Sequence, residues 1–179
     1  KTELINAIFF ADYGRRLLPS TAGRTTMCPT EMFYDQQADH AYVRLLPIET
    51  RLQDRSLAEL KADSGCLVNY PLDLASADQV AEALGEVIKT RRVSLEQAVG
   101  LGLYEPKQHP HHDTTPESVE IPKWRHALIS FPHPLLKKGL CILDTPGLNA
   151  LGSEPELTLN MLPSAQAVLF VLGADTGVT

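Results

Sequence analysis

The stretch GLCILDTPGLNA (Gly139–Ala150) constrains the fold of this chain more than any other. Four apolar residues, Leu140 to Leu143, run into Asp144, and Thr145, Pro146 and Gly147 follow at once. The run has the length of a buried strand, and the Pro-Gly pair ends it in a turn. A carboxylate at the end of such a strand is costly to bury, so packing alone gives no reason for it. Open sheets of buried strands and helices bind ligands beyond the carboxyl ends of their strands, which is where Asp144 falls. A carboxylate there can hold Mg2+, directly or through water, because Mg2+ keeps most of its waters and takes one or two carboxylates besides phosphate oxygens. Gly147 has no Cβ, so its N–H can come against a phosphate without a clash. Judged on these residues alone, an ordinary strand-ending turn is the competing reading.

The rest of the chain is consistent with such a sheet. KTELINAIFFA (Lys1–Ala11) has the spacing of a helix, with Leu4, Ile5 and Ile8 as its core face. A polar loop with Gly and Pro follows, Tyr13–Pro29, and then two strands, Thr30–Asp35 and Ala41–Ile48, joined by a short turn. Helices are predicted at about Arg55–Ala62, at Ser76–Thr90 and at Ser94–Leu103, the last two opened by capping boxes of Ser76 with Gln79 and Ser94 with Gln97. In the second of these, Val80, Leu84, Val87 and Ile88 share a face. Glu105–Pro122 reads as a proline-broken loop, and Trp124–Pro132 as a strand in which Trp124 and Phe131 are core or sheet-face residues. Leu140–Asp144 reads as a buried strand, Ser153–Leu162 as a helix capped by Ser153, and Ala167–Gly173 as another buried strand. Strands and helices in this order predict an α/β fold: a mixed, mostly parallel sheet with helices on both faces, carrying an insert of helices and loop at about residues 49–122.

The N-terminus adds chemistry. Phosphate-binding loops end in Gly-Lys-[Ser/Thr] and open a helix: the Lys neutralises the β- and γ-phosphates and the hydroxyl binds Mg2+. Lys1 and Thr2 stand where the end of such a loop would be, ahead of an apolar helix. The loop AGRTTMCP (Ala22–Pro29) adds Thr25 and Thr26. A hydroxyl on a loop of this kind can close over Mg2+ and the γ-phosphate and release after hydrolysis. Thr26 is the first candidate for that role and Thr25 the second, with a plain polar turn as the alternative. The order matters more than any one piece: Lys-Thr opening a helix, a hydroxyl-rich loop, a strand ending in D-x-x-G, and a further buried strand.

Taken together, KTELINAIF (Lys1–Phe9), LLPSTAGRTTMCPTE (Leu17–Glu31) and the stretch from Leu140 to Thr179 resemble the GTPase domain of the dynamin superfamily, in its bacterial dynamin-like branch. The family's switch I pattern is matched by Leu18-Pro19, Thr25-Thr26 and Pro29-Thr30, and switch II by Asp144-Thr145-Pro146-Gly147. The resemblance implies GTP hydrolysis coupled to self-association through the GTPase domain, commonly on membranes. It also implies Mg2+ and a monovalent cation as cofactors, and GTP and GDP as ligands. Nucleotide contacts would come from Lys1, Thr2, Thr25, Thr26, Asp144, Thr145, Pro146 and Gly147. Lys1, Thr26 and Gly147 would be catalytic, and Thr2, Thr26 and Asp144 would hold Mg2+. Thr26 and Asp144 are 118 positions apart, more than small GTPases use and compatible with the enlarged domains of dynamin relatives. The residue after Gly147 is Leu148 rather than the Gln that orients water in many small GTPases. Dynamin-type enzymes also lack that Gln and position water by switch I and backbone groups. Leu148 equally keeps a non-hydrolysing nucleotide-binding scaffold in view, and a P-loop ATPase of another class is a third reading. On this resemblance residues 1–179 are part of a GTPase domain, entered inside the phosphate-binding loop and left before the guanine-selecting motif, so residues 1–179 alone are expected to bind nucleotide weakly.

Composition narrows the partners. The chain has 179 residues, 44% hydrophobic and 21% charged, with a net charge of −6, which suits a soluble domain with a core of its own. The acidic excess lies between residues 49 and 120, with thirteen acidic and seven basic residues, which argues against that segment gripping nucleic acid or anionic lipid. The longest apolar run, Ala167–Ala174, is far short of the roughly 20 residues of a spanning helix. A cytoplasmic protein is expected, with peripheral attachment to a membrane through regions outside this sequence. Cys28, Cys66 and Cys141 are distant from one another, odd in number and without a visible base partner, so reduced, buried thiols are predicted rather than disulfides or a nucleophile. His109, His111 and His112 lack a fourth spaced ligand and read as a solvated loop rather than a zinc site. Arg15, Arg16 and Arg24 read the same way, with phosphate charge or a neighbouring subunit as the alternative use.

Overall fold

The opening segment is helical, as its spacing predicts, but it packs on a different face. In the computed structural model, which describes residues 2–19, 28–104, 117–145 and 165–169, α1 spans Thr2–Phe9. Asn6, Phe9 and Phe10 are buried and Ile5 packs against them, whereas Leu4 and Ile8 are 41% and 43% exposed. The spacing places Leu4 and Ile8 in the core; the structure turns them out. Two adjacent aromatics offer more apolar area than Leu4 and Ile8 do, and Asn6 finds interior partners, so the helix is rotated toward both. A 3-10 turn at Ala11–Tyr13 follows, and Gly14, at φ 64°, closes it in the left-handed region that glycine tolerates best.

The strands are β1 (Thr30–Phe33), β2 (Tyr42–Pro47), β3 (Val68–Pro71), β4 (Thr90–Ser94), β5 (Ser118–Pro122), β6 (Trp124–Ser130) and β7 (Ile142–Asp144). Between them lie α2 (Leu57–Ala62), α3 (Ala77–Gly85), α4 (Leu95–Gly100) and α5 (Pro134–Lys137). Five strands form one sheet in the order β3-β2-β6-β1-β7, and β4 and β5 pair separately. The sheet is mixed, as predicted. Among the described strands, however, only β1 and β6 run parallel, and the other pairings are antiparallel. Residues 34–41 are too few for the crossover that a parallel neighbour needs, so β2 returns antiparallel to β1. The two are not a hairpin: β6 lies between them, with Ala127 opposite both Thr30 and Leu45. Asp35 ties the connection down, accepting from the Tyr42 hydroxyl at 2.8 Å and donating its N–H to Ser130 Oγ at 3.1 Å.

Strand alternation separates two faces. Met32, Val43, Leu45, Ala127 and Ile129 point to one side, where α1 and α3 cover them through Phe9, Phe10, Val80, Ala83 and Leu84. Glu31, Leu46, Leu128 and His126 point to the other, where Lys61 of α2 pairs with Glu31. Helices therefore lie on both faces. Because α3 contributes its buried stripe to the main core, Leu84→Ala is expected to destabilise this domain by about 2–5 kcal/mol. A lower denaturant midpoint would show it, and an unchanged midpoint would contradict the packing.

Residues 49–122 are not purely helical. β3, β4 and β5 lie within them, the last inside the stretch expected to be loop. α2 carries a complete capping box of Ser56 and Glu59. Ser76 and Ser94 accept from the N–H groups of Gln79 and Gln97, but the Gln79 side chain reaches out instead, to Asp73 N and Pro71 O. The part of this region formed by α4, β4 and β5 has its own apolar cluster, Ile48, Val93, Ala98, Leu101, Leu103 and Ile121. Trp124 and Phe131 are buried, as predicted. Residues 167–169 carry no strand, and Val168 and Leu169 are 50% and 75% exposed, so this end of the expected buried strand is not one. The remainder of that strand, the helix expected at 153–162 and the histidines of the loop at 105–116 lie outside the described residues.

The second face contains a buried cluster. His126 is 1% exposed, its Nε2 lies 3.1 Å from Glu31 Oε1, and its Nδ1 has no hydrogen-bond partner. Desolvation lowers the His126 pKa, against the opposing pull of Glu31. A neutral ring donating from Nε2 fits this, since a charged one would leave a buried Nδ1–H unpaired. Burial alone would raise Glu31, but hydrogen bonds from His126 and Lys61 outweigh it and hold its pKa at about 2. The depressed His126 pKa means that the unfolded chain binds more protons below about pH 6.5. Stability present above that pH is therefore lost as pH falls. Amide protection of β1 and β6 in the full-length protein is expected to be lower at pH 5.5 than at pH 7.5, and His126→Leu should remove the difference; a pH-independent protection factor in the wild type would contradict it.

Candidate functional site

Among the described strands, β7 is the outermost of the sheet and is only partly buried. Leu140 and Cys141 are exposed, Ile142 and Leu143 are half-buried, and only Asp144 is buried, at 9% exposure. Among the described strands β7 pairs with β1 alone. Its register sets Asp144 opposite Thr30 and Ile142 opposite Met32, on the face that α1 covers. Asp144 therefore opens into the space beneath the first turn of α1.

That space is a pocket lined by Thr2, Ile5, Leu18, Pro19, Thr30, Met32, Val87, Ile88, Ile142 and Asp144. Thr2 and Asp144, separated by most of the chain, meet in one cavity. The other walls are apolar except for Thr30, whose hydroxyl donates to Cys28 O at 3.2 Å and so braces the turn into β1. Thr2 begins α1, and the N-terminal end of a helix carries unpaired N–H groups and the positive end of its dipole, which favours an anion. A hydroxyl, a carboxylate and a helix N-terminus within apolar walls form an arrangement that can hold a phosphate with its cation, in surroundings where electrostatic interactions are weakly screened.

The loop that follows α1 is held against it. Asn6 is 5% exposed; its Nδ2 donates to Leu18 O at 2.8 Å, and its Oδ1 accepts from Leu17 N at 3.1 Å and Leu18 N at 2.9 Å. Arg16 pairs with Glu3 in the first turn of α1 at 3.1 Å, and Arg15 with Asp78 of α3 at 2.7 Å. Arg15 and Arg16 are therefore engaged with carboxylates rather than displayed as a basic patch. Cys28 is buried, and desolvation pushes its thiol well above the ordinary range. Cys66 is half-exposed and Cys141 exposed, against the expectation of buried thiols. All three are free.

Of the residues selected from the sequence, the structure brings together Thr2 and Asp144, with Thr145 half-buried beside the latter. Lys1, Thr25, Thr26, Pro146 and Gly147 lie outside the described residues. Among the described residues no group of three or more His, Cys, Asp or Glu side chains gathers to hold a metal. The Asp144 carboxylate and the Thr2 hydroxyl are donors of the kind Mg2+ accepts when phosphate oxygens and water complete its shell. No helix among the described residues is long and apolar enough to cross a membrane. Sequence reasoning missed Asn6, Val87 and Ile88 as neighbours of the site. A lone amide among Ile5, Phe9 and Phe10 was the available signal for the first. The other two come from a distant segment, and no local pattern marks them.

Comparison with protein families matches residues 1–179 to the dynamin family. A bacterial dynamin-like protein of Nostoc punctiforme is 38% identical over 59 residues, which are 33% of this chain and 8% of that protein. Isoniazid-induced protein IniA of Mycobacterium tuberculosis, in two strains, is 51% identical over 45 residues, 24% of this chain and 7% of that protein. The matched stretches thus span less than a tenth of these relatives.

Proposed function

Since the chain belongs to the dynamin family, we propose that the protein binds and hydrolyses GTP at the pocket between α1 and β7. The observation that carries this reading is the meeting of Thr2 and Asp144 in one cavity at the start of a helix. Lys1 would neutralise the β- and γ-phosphates. Thr2 and Thr26 would offer hydroxyls to Mg2+, Asp144 would hold its water, and Thr25, Thr145 and Pro146 would line the nucleotide. Mg2+ would supply charge neutralisation between the β- and γ-phosphates. The Gly147 amide would donate to the γ-phosphate, and the apolar walls from Ile5, Leu18 and Ile142 would keep bulk water away from the developing charge. Water would be placed by switch I and backbone groups, since Leu148 supplies no side-chain acceptor. A monovalent cation belongs to the same reading, as do self-association through this domain and membrane remodelling by a cytoplasmic protein attached peripherally.

The test is direct. Full-length protein, with Mg2+ and GTP, is expected to release phosphate, and ATP should not compete with GTP. GTP binding without phosphate release would point instead to a non-hydrolysing scaffold, and preference for ATP to another class of P-loop protein.

A further inference from the structure

Resting on that reading, we infer that Asn6 is a positioning residue for the reaction, a side chain that sets the stem of the switch I segment against the helix carrying Thr2. Asn6 lies one helical turn after Thr2. Its amide makes three hydrogen bonds with one dipeptide: both N–H groups of Leu17 and Leu18, and the carbonyl of Leu18. Both acceptor lone pairs of Oδ1 and one Nδ2 hydrogen are used, and all three bonds are buried. An apolar residue at position 6 would deprive all three of these backbone groups of this partner. The bonds fix where the chain stands immediately before Pro19, and Leu18 and Pro19 themselves line the pocket that Thr2 and Asp144 share. Thr25 and Thr26 follow in the sequence. Buried hydrogen bonds of this kind specify one geometry, and small misplacements near reacting groups are costly to rate.

Two substitutions in the full-length protein separate positioning from folding. Asn6→Ala removes all three bonds. Asn6→Asp retains the two acceptor bonds, loses the donor to Leu18 O and sets a carboxylate against that carbonyl. The expected result is a fall in kcat of roughly 10–100-fold for Asn6→Ala, with a smaller fall for Asn6→Asp. GDP affinity should stay within a factor of about three, a range that corresponds to less than one tenfold step in binding. Amide exchange should quicken at Leu17 and Leu18 while the protection of β2 and β6 is kept. Unchanged kcat in an Asn6→Ala variant with an exposed Leu17 and Leu18 would overturn the inference, as would loss of β2 and β6 protection in both variants. Wild-type protein that neither binds nor turns over GTP would instead remove the functional reading, and the positioning role with it.

Discussion

Replacing Lys1 with alanine in the full-length protein is expected to bring GTP turnover down to background, a fall of roughly 10³-fold or more. A triphosphate brings several negative charges to a pocket whose described lining includes one ionisable side chain, the acidic Asp144. A cation must offset them, and phosphoryl transfer relies on positioned positive charge because the protein has little covalent chemistry to do. Lys1 directly precedes Thr2 at the first turn of α1, where the backbone N–H groups already favour an anion. Because alanine is a good helix former, the variant should keep its fold, and far-ultraviolet circular dichroism should be unchanged. Wild-type rates in a folded Lys1→Ala protein would remove Lys1 from the site.

Asp144→Asn should have the second-largest effect and a different signature. The substitution keeps size and shape at a buried position and removes only the charge. If Asp144 holds Mg2+ through water, the Mg2+ concentration needed for half-maximal turnover should rise by about 10–100-fold, the usual effect of losing an outer-shell partner. Turnover should recover in part at high Mg2+. Lys1→Ala should not be rescued in this way, so the two variants distinguish phosphate neutralisation from metal retention. A drop in turnover that is indifferent to Mg2+ would mean that Asp144 acts by supporting the pocket, not by holding metal.

Local signals were the most legible part of the chain. The helix at the N-terminus, the caps at Ser76 and Ser94 and the strands at β1, β2 and β6 were all readable, because each depends on periodicity or on a side chain within three residues. What was not readable depends on distant pairing. β6 inserts between β1 and β2, and nothing in Thr30–Ile48 announces a third strand from ninety residues later. β4 buries little besides Val93, so Thr-Arg-Arg-Val-Ser lacks the apolar alternation that marks a strand. The burial of Leu140–Asp144 also depends on pairing: an apolar run does not say how many neighbours a strand has, and among the described strands β7 has β1 alone. For the site, Asp144 was legible because a carboxylate ending an apolar run is unusual, and Thr2 because it opens a helix. Asn6 was not, since apolar spacing marks the face of a helix and gives no weight to an amide between its positions.

The central claim is that Lys1, Thr2, Thr26 and Asp144 surround one magnesium-bound triphosphate. A crystal structure of the full-length protein with Mg2+ and a non-hydrolysable GTP analogue tests it most directly. The γ-phosphate is expected at the first turn of α1, with the metal ligated by the Thr2 and Thr26 hydroxyls and a metal-bound water on Asp144. Nucleotide bound elsewhere on the domain, or a metal whose coordination leaves out both Thr2 and Asp144, would contradict it.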